Sequence, residues 1–215
     1  MSIQLVVFDV DGTLTCHNSI WWRLHQAFGT ETEGRRFYDM FFSGDISYQQ
    51  WADFDAALWK GRSVREVMEV VRATELVPGA VEAIRELKAN GIKVAILSGG
   101  IDLLADDVAR RVGIEYVLTN RLQHVDGVLT GRVEVGVGWG EKVQEIKQVA
   151  NHFGIPLDRT AFVGDGKNDL SVFAVVPLSI AFRPETPEVA RAATVSVEGD
   201  DLRGILPYLL KSPGQ

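Results

Sequence analysis

The sequence predicts an α/β protein in which an open sheet of buried parallel strands is packed against helices. Three observations predict it. Short continuous apolar runs recur along the 215 residues, amphipathic stretches stand between them, and the runs end in small or acidic residues. A short apolar run bounded by such residues is a buried strand, and strands alternating with helices build an open α/β sheet.

In chain order, Ile3 to Phe8 (IQLVVF) is the first strand and is followed at once by DVDGT, residues 9–13. From Leu14 to Pro78 no convincing buried strand occurs. Instead Trp21, Trp22, Leu24, Phe28, Phe37, Phe41, Trp51, Phe54, Leu58 and Val67 recur at mixed spacings of three and four. That spacing predicts an insertion of several short helices, with Gly29, Gly44 and Gly61 between them. Ala80 to Asn90 has apolar residues at 80, 81, 84 and 87 with charges between, an amphipathic helix closed by Gly91. Val94 to Leu97 (VAIL) is the second strand, and Ser98-Gly99-Gly100 leads from it to a helix over Leu103 to Val112. Tyr116 to Leu118 is a further strand. Val125-Asp126-Gly127-Val128 places a turn dipeptide between β-prone segments and predicts a hairpin within residues 121–135. Glu141 to Phe153 is a helix stopped by Gly154, Ala161 to Val163 (AFV) the next strand, and Leu178 to Phe182 (LSIAF) another.

Composition bounds the function. The chain is longer than a usual single domain, so a main domain of about 150 residues with a smaller insertion fits best. A 46% hydrophobic and 24% charged composition is that of an ordinary globular protein. No run approaches the roughly 18 to 20 apolar residues of a membrane span, and the first residues lack the basic start of a signal peptide, so a cytoplasmic location is expected. A net charge of -7 argues against a nucleic-acid binder, whose affinity needs clustered Lys and Arg. The single Cys16 cannot form an internal disulfide and is expected to pack, and the four histidines have no zinc spacing. No role is assigned to His17, His25, His124 or His152.

The chemistry-bearing residues follow the strands. Asp9, Asp11 and Thr13 come straight after the first strand, where an open α/β sheet places its ligands. Two acids separated by one residue can divide their work, Asp9 attacking phosphorus and Asp11 moving the proton, or they can cap a turn. A calcium loop fails on spacing, because Thr13 and Ile20 stand where its ligands belong. A second acidic cluster, GDGKND at residues 164–169, follows the AFV strand. If the two strands are neighbours, three or four carboxylates converge, and such crowding calls for a cation with oxygen ligands, for which magnesium is suited. Ser98 with Gly99 and Gly100 before a helix is either a phosphate seat or an N-cap. Lys142 either points a fixed positive charge at the same phosphate or is solvated.

The order and strand-end placement of these four signals resemble the haloacid dehalogenase (HAD) superfamily, and more narrowly its phosphoserine-phosphatase-like branch. DVDGT looks like its first motif, Leu97-Ser98-Gly99-Gly100 its second, Lys142 its third and GDGKND its fourth. Asn120-Arg121-Leu122, DGVLTG at 126–131 and the tail DDLRGIL also resemble that branch. The resemblance implies a three-layer Rossmann-like core of the HAD type over residues 1–14 and 78–215, with a helical cap of C1 type over residues 15–77. It implies a magnesium-dependent phosphatase acting on a small phosphate ester. Asp9 would be nucleophile and metal ligand, Asp11 general acid/base and metal ligand through its carbonyl, and Asp165 the third metal ligand. Ser98, the Gly99 N–H, Lys142 and Asn168 would hold the phosphate, and Asp169 would orient Lys142 or metal-bound water.

The match fails in the insertion. Phosphoserine phosphatases carry a Glu just after the first motif and an Arg further along, which read the amino and carboxylate groups of the substrate. Here Asn18 falls at the first position, and alignment on Gly44 and Tyr48 puts Asp55 at the second. An acid where a carboxylate should be clamped is repulsive, unless Arg23, Arg35 or Arg62 supplies the charge. The leaving group therefore stays open between phosphoserine and another phosphomonoester. Trp21, Trp22, Trp51, Phe54 and Trp59 are expected to form the core of the insertion, the alternative being an apolar pocket for a larger leaving group. Transfer to an alcohol acceptor instead of water is the second functional reading, and non-enzymatic phosphate binding the remote third.

Overall fold

The structure is a computed structural model and describes residues 2–210. Among them one sheet holds seven strands: β1 (Leu5–Phe8), β2 (Lys93–Ile101), β3 (Tyr116–Val125), β4 (Val128–Glu134), β5 (Thr160–Gly164), β6 (Leu178–Phe182) and β7 (Val195–Val197). Their order is β4-β3-β2-β1-β5-β6-β7, and all neighbours are parallel except the β3–β4 hairpin. The chain winds outward from β1 in one direction through β2 and β3, then crosses back to lay β5 on the other side of β1. The carboxyl ends of β1 and β5 thus form the switch point at which such sheets bind ligands.

Five helices lie between β1 and β2: α1 (Ile20–Phe28), α2 (Glu31–Phe42), α3 (Tyr48–Leu58) and α4 (Val64–Arg72) of the insertion, then α5 (Ala80–Ala89). Then come α6 (Asp102–Val112), α7 (Lys142–His152), α8 (Leu170–Phe173), α9 (Pro187–Ala192) and α10 (Leu206–Leu209). All four β1 residues are fully buried, and their alternation divides the core. Val6 and Phe8 join the cluster of Ile84 and Leu87 from α5 and Leu104 and Val108 from α6. Leu5 and Val7 join Ile146 and Val149 from α7, Val172 from α8 and Val189 from α9. Helices on both faces of a parallel sheet make the three layers that the sequence predicted.

The α1–α4 insertion is punctuated as expected. Gly29, Gly44 and Gly61 have φ of 68°, 85° and 86°, the left-handed region that only glycine enters at no steric cost. Ser47 and Ser63 start α3 and α4 with reciprocal capping boxes to Gln50 and Glu66. Where the insertion leaves and rejoins the core, Thr15 bridges Leu76, and the Val77 N–H donates to the Leu14 carbonyl at 2.9 Å.

Two elements differ from the sequence reading. β2 runs on through Ser98, Gly99 and Gly100 to Ile101, so Ser98 lies within the strand and does not cap α6, which begins at Asp102. The β2–β3 register shifts between Leu97 and Ile101, and side chains of β3 take over from the ladder: Asn120 Nδ2 donates to the Gly99 carbonyl at 2.9 Å and Thr119 Oγ1 to the Gly100 carbonyl at 3.2 Å. β7 was not anticipated; three partly exposed or exposed residues carry no apolar run.

Candidate active site

The site lies at the carboxyl ends of β1, β2 and β5. Asp9 follows β1, and its N–H donates to the Val163 carbonyl at 2.9 Å, which ties the turn to β5. Asp9 Oδ1 accepts from the Val10 N–H at 2.8 Å, while Oδ2 lies 3.2 Å from Lys142 Nζ and 3.4 Å from Asn168 Nδ2. The turn that follows depends on Gly12, whose φ is 76° and whose missing Cβ would fall 2.0 Å from Asp165 Oδ2. Thr13 closes the junction by donating its hydroxyl to Asp165 Oδ1 at 3.0 Å.

Lys142 is the first residue of α7 and is fully buried, with Nζ 2.6 Å from Asp169 Oδ1. Burial alone pulls an ammonium pKa down, yet Asp169 and then Asp9 outweigh it and hold Lys142 above its ordinary value. Asp169 has both oxygens engaged, because Oδ2 accepts the N–H groups of Asp165 and Gly166, each at 3.1 Å. Gly164 leaves room for it; a Cβ there would lie 2.2 Å from Asp169 Oδ2.

The remaining carboxylates are crowded. Burial, reinforced by Asp9 and Asp169, holds Asp165 well above the usual carboxylate range. Burial and then Asp9 push Asp11 to about 8, and Asp11 Oδ1 is buried without a hydrogen-bond partner. Carboxylate oxygens of Asp9, Asp165 and Asp169 all lie within 4.8 Å of one another. One lysine does not balance three buried acids and the half-buried Asp11, and an all-oxygen cluster with an orphaned oxygen beside it fits a hard divalent cation such as magnesium.

A cavity of about 490 Å³ opens over these groups. Asp9, Asp11, Ser98, Gly99, Asp165, Asn168, Asn18 and Asp55 all line it, so the sequence-selected residues converge; Lys142 and Asp169 sit behind the wall. Ser98 Oγ accepts the Gly100 N–H at 3.2 Å, which draws the hydroxyl in over the turn. Trp21, Trp22 and Trp51 line the cavity, whereas Trp59 is fully buried and Phe54 packs on Phe37. The expectation of an all-core aromatic set is corrected by this split.

Two residues gained importance that sequence reasoning had not given them. Asn120 is fully buried and holds the Gly99 carbonyl while its own Oδ1 accepts the N–H groups of Gly136 and Val137 at 3.0 and 2.9 Å. The NRL segment was its only signal. His25, left without a role, is buried with Nε2 3.2 Å from Asp55 Oδ1 and Nδ1 2.8 Å from Thr30 Oγ1.

Acids at the ends of β1 and β5, a buried lysine between them and an inserted helical unit define a hydrolase of the HAD type. The chain belongs to the haloacid dehalogenase-like hydrolases, whose family model matches residues 6–174. Within them it is similar to phosphoserine phosphatases. It is 34% identical to the phosphoserine phosphatase of Methanocaldococcus jannaschii, over 96% of this chain and 97% of that one. It is 32% identical to phosphoserine phosphatase SerB2 of Mycobacterium tuberculosis, over 88% of this chain but only 47% of the longer relative. A solved phospho-aspartyl intermediate analogue of phosphoserine phosphatase superposes with a TM-score of 0.83 at 33% identity, covering 97% of this chain and all (100%) of the other. A substrate-bound phosphoserine phosphatase complex gives the same TM-score of 0.83 at 32% identity, covering 97% of this chain and 99% of that one. Among the described residues no helix is long and apolar enough to cross a membrane.

Proposed function

We propose that the protein is a magnesium-dependent phosphomonoester hydrolase that works through an aspartyl phosphate on Asp9. The observation that carries this reading is the contact of Asp9 Oδ2 with Lys142 Nζ, behind a cavity wall that Asp9 shares with Asp11 and Asp165. In the first step an Asp9 carboxylate oxygen attacks phosphorus. The bond from phosphorus to the leaving oxygen breaks, and Asp11 gives that oxygen its proton. In the second, Asp11 takes a proton from water, which attacks the same phosphorus, frees inorganic phosphate and returns Asp9. Lys142, fixed by Asp169, offsets the charge that builds on the phosphate oxygens, while Ser98, the Gly99 N–H and Asn168 hold them. Asp9, Asp165 and the Asp11 carbonyl would hold magnesium, which would offset the repulsion between a phosphate dianion and these acids. Asp169 is left to orient Lys142, since both its oxygens are engaged.

The same reading makes residues 15–77 a cap on a core of residues 1–14 and 78–215. Support comes from the Thr15–Leu76 bridge at its neck and from Asn18, Trp21, Trp51 and Asp55 lining the cavity. A closed cap excludes bulk water from the acyl phosphate.

Phosphate release from phenyl phosphate with magnesium tests the proposal. Asp9→Asn is expected to lower kcat by at least about a thousandfold, as loss of a covalent nucleophile does. A rate close to that of the unaltered protein would refute it.

A further inference from the structure

The half of the cavity contributed by the insertion is not built like the phosphate half. Its walls are aromatic: Trp21, Trp22, Tyr38, Tyr48 and Trp51 from α1, α2 and α3 all line it. Several are fixed in place. Trp21 Nε1 and the Tyr48 hydroxyl donate to the Gly99 carbonyl at 3.1 and 3.3 Å, Trp21 stacks on Trp59 at 5.7 Å, and Tyr48 meets Trp51 edge-on at 5.9 Å.

Among these rings stands one buried acid. The Asp55 side chain is 4% exposed and backed by His25 at 3.2 Å. His25 and the indole N–H of Trp51, one turn before Asp55, both bear on the carboxylate, but neither is aligned well enough to satisfy Asp55 Oδ1. A ligand that donates to this buried carboxylate relieves part of its desolvation penalty. Among the described residues, neither arginine that lines the cavity is paired with Asp55. Arg23 donates to Thr74 Oγ1, and Arg35 is 67% exposed, 3.3 Å from Asp39 and stacked over the Tyr38 ring at 5.1 Å. His17 and Glu185 complete the titratable lining at the phosphate end, where the Glu185 N–H donates to the Asp165 carbonyl and the Gly12 N–H to the His17 carbonyl. A substrate carboxylate placed against Asp55 would meet a like charge, whereas a positive group there would gain both the carboxylate and the aromatic walls. Aromatic enclosures with an acid are the chemistry that binds ammonium groups, because the face of each ring attracts a cation.

We propose that the substrate is the phosphate monoester of an amino alcohol without a carboxylate, its ammonium group seated against Asp55 between the aromatic walls. This inference rests on the phosphatase reading above and adds the substrate class to it. His25 is a positioning residue here, held from behind by Thr30, whose hydroxyl also accepts the Trp59 indole N–H at 3.2 Å.

The test is a comparison of kcat/KM, with magnesium, for ethanolamine phosphate, choline phosphate, its neutral tert-butyl isostere, phosphoserine and phenyl phosphate. At least one ammonium ester is expected to exceed both phosphoserine and the neutral isostere by about tenfold or more. Asp55→Asn is expected to bring the ammonium-to-isostere ratio close to one, whatever it does to absolute rates. Turnover of phenyl phosphate alongside a preference for phosphoserine or for the neutral isostere would overturn the inference and leave the phosphatase reading intact. An unchanged ratio in Asp55→Asn would overturn it as well. Failure to hydrolyse any ester, phenyl phosphate included, would overturn both. The comparison on the unaltered protein decides the matter even if the variant does not fold.

Discussion

At the scale of single residues, Lys142 is where the proposed function and stability share one contact. Its ammonium is fully buried between Asp169 and Asp9, and removing one member of such a group strands the others. Lys142→Ala is expected to cost about 3–5 kcal/mol of unfolding free energy, measured in urea, besides abolishing turnover. Gly12→Ala is a milder probe of the same centre. A side chain at φ of 76° is strained, and its Cβ would press on Asp165 Oδ2, so weaker magnesium affinity by calorimetry is expected with the fold retained. That Asp9, Asp11, Ser98, Lys142 and the GDGKND acids would converge was legible in the sequence, because each lies late in a strand, follows one or opens a helix, and the sheet then sets their positions. The partnership of His25 with Asp55 was not legible. Thirty positions separate the two, on different helices, and only the packing of α1 against α3 through Trp59 joins them.

At the scale of elements, the insertion depends on close helix contacts that glycine permits. Gly34 in α2 faces the His25 ring, and a Cβ there would lie 2.5 Å from Nε2. Gly34→Ala is expected to push His25 off Asp55 and cost about 1–3 kcal/mol, the usual price of overpacking, read by thermal unfolding. At the other end of the core, Asp201 accepts from the Arg203 N–H and guanidinium, and Arg203 holds its pKa down at about 2. A depressed carboxylate pKa contributes stability above its unfolded value and loses it as pH falls. The contribution of Asp201 is therefore expected to fade between pH 3.8 and about 2, and Asp201→Asn should flatten that limb of the stability curve. The four helices of the insertion could be read from Gly29, Gly44 and Gly61, because a left-handed stop is a local property. The continuation of β2 through Ser98-Gly99-Gly100 could not, because side chains of β3 supply its hydrogen bonds from twenty residues downstream.

At the scale of the whole molecule, the fold gathers negative charge at one point and holds it there by burial. Core packing on two faces of the sheet sustains a cluster in which Asp9, Asp11, Asp165 and Asp169 face a single buried lysine. A cation that binds this folded cluster and not the unfolded chain raises stability by mass action. Magnesium at a hundred times its dissociation constant is expected to add about 2.7 kcal/mol, seen as a rise in Tm that a chelator reverses. An unchanged Tm would remove magnesium from the account. The central claim, that Asp9 carries the phosphoryl group, is tested most directly by mixing the enzyme with a turning-over ester, quenching in acid and locating the phosphoryl group by peptide mass spectrometry. The account predicts one phosphoryl group, on Asp9, absent from Asp9→Asn. Turnover with no phosphoenzyme trapped, or a phosphoryl group on any other residue, would contradict it.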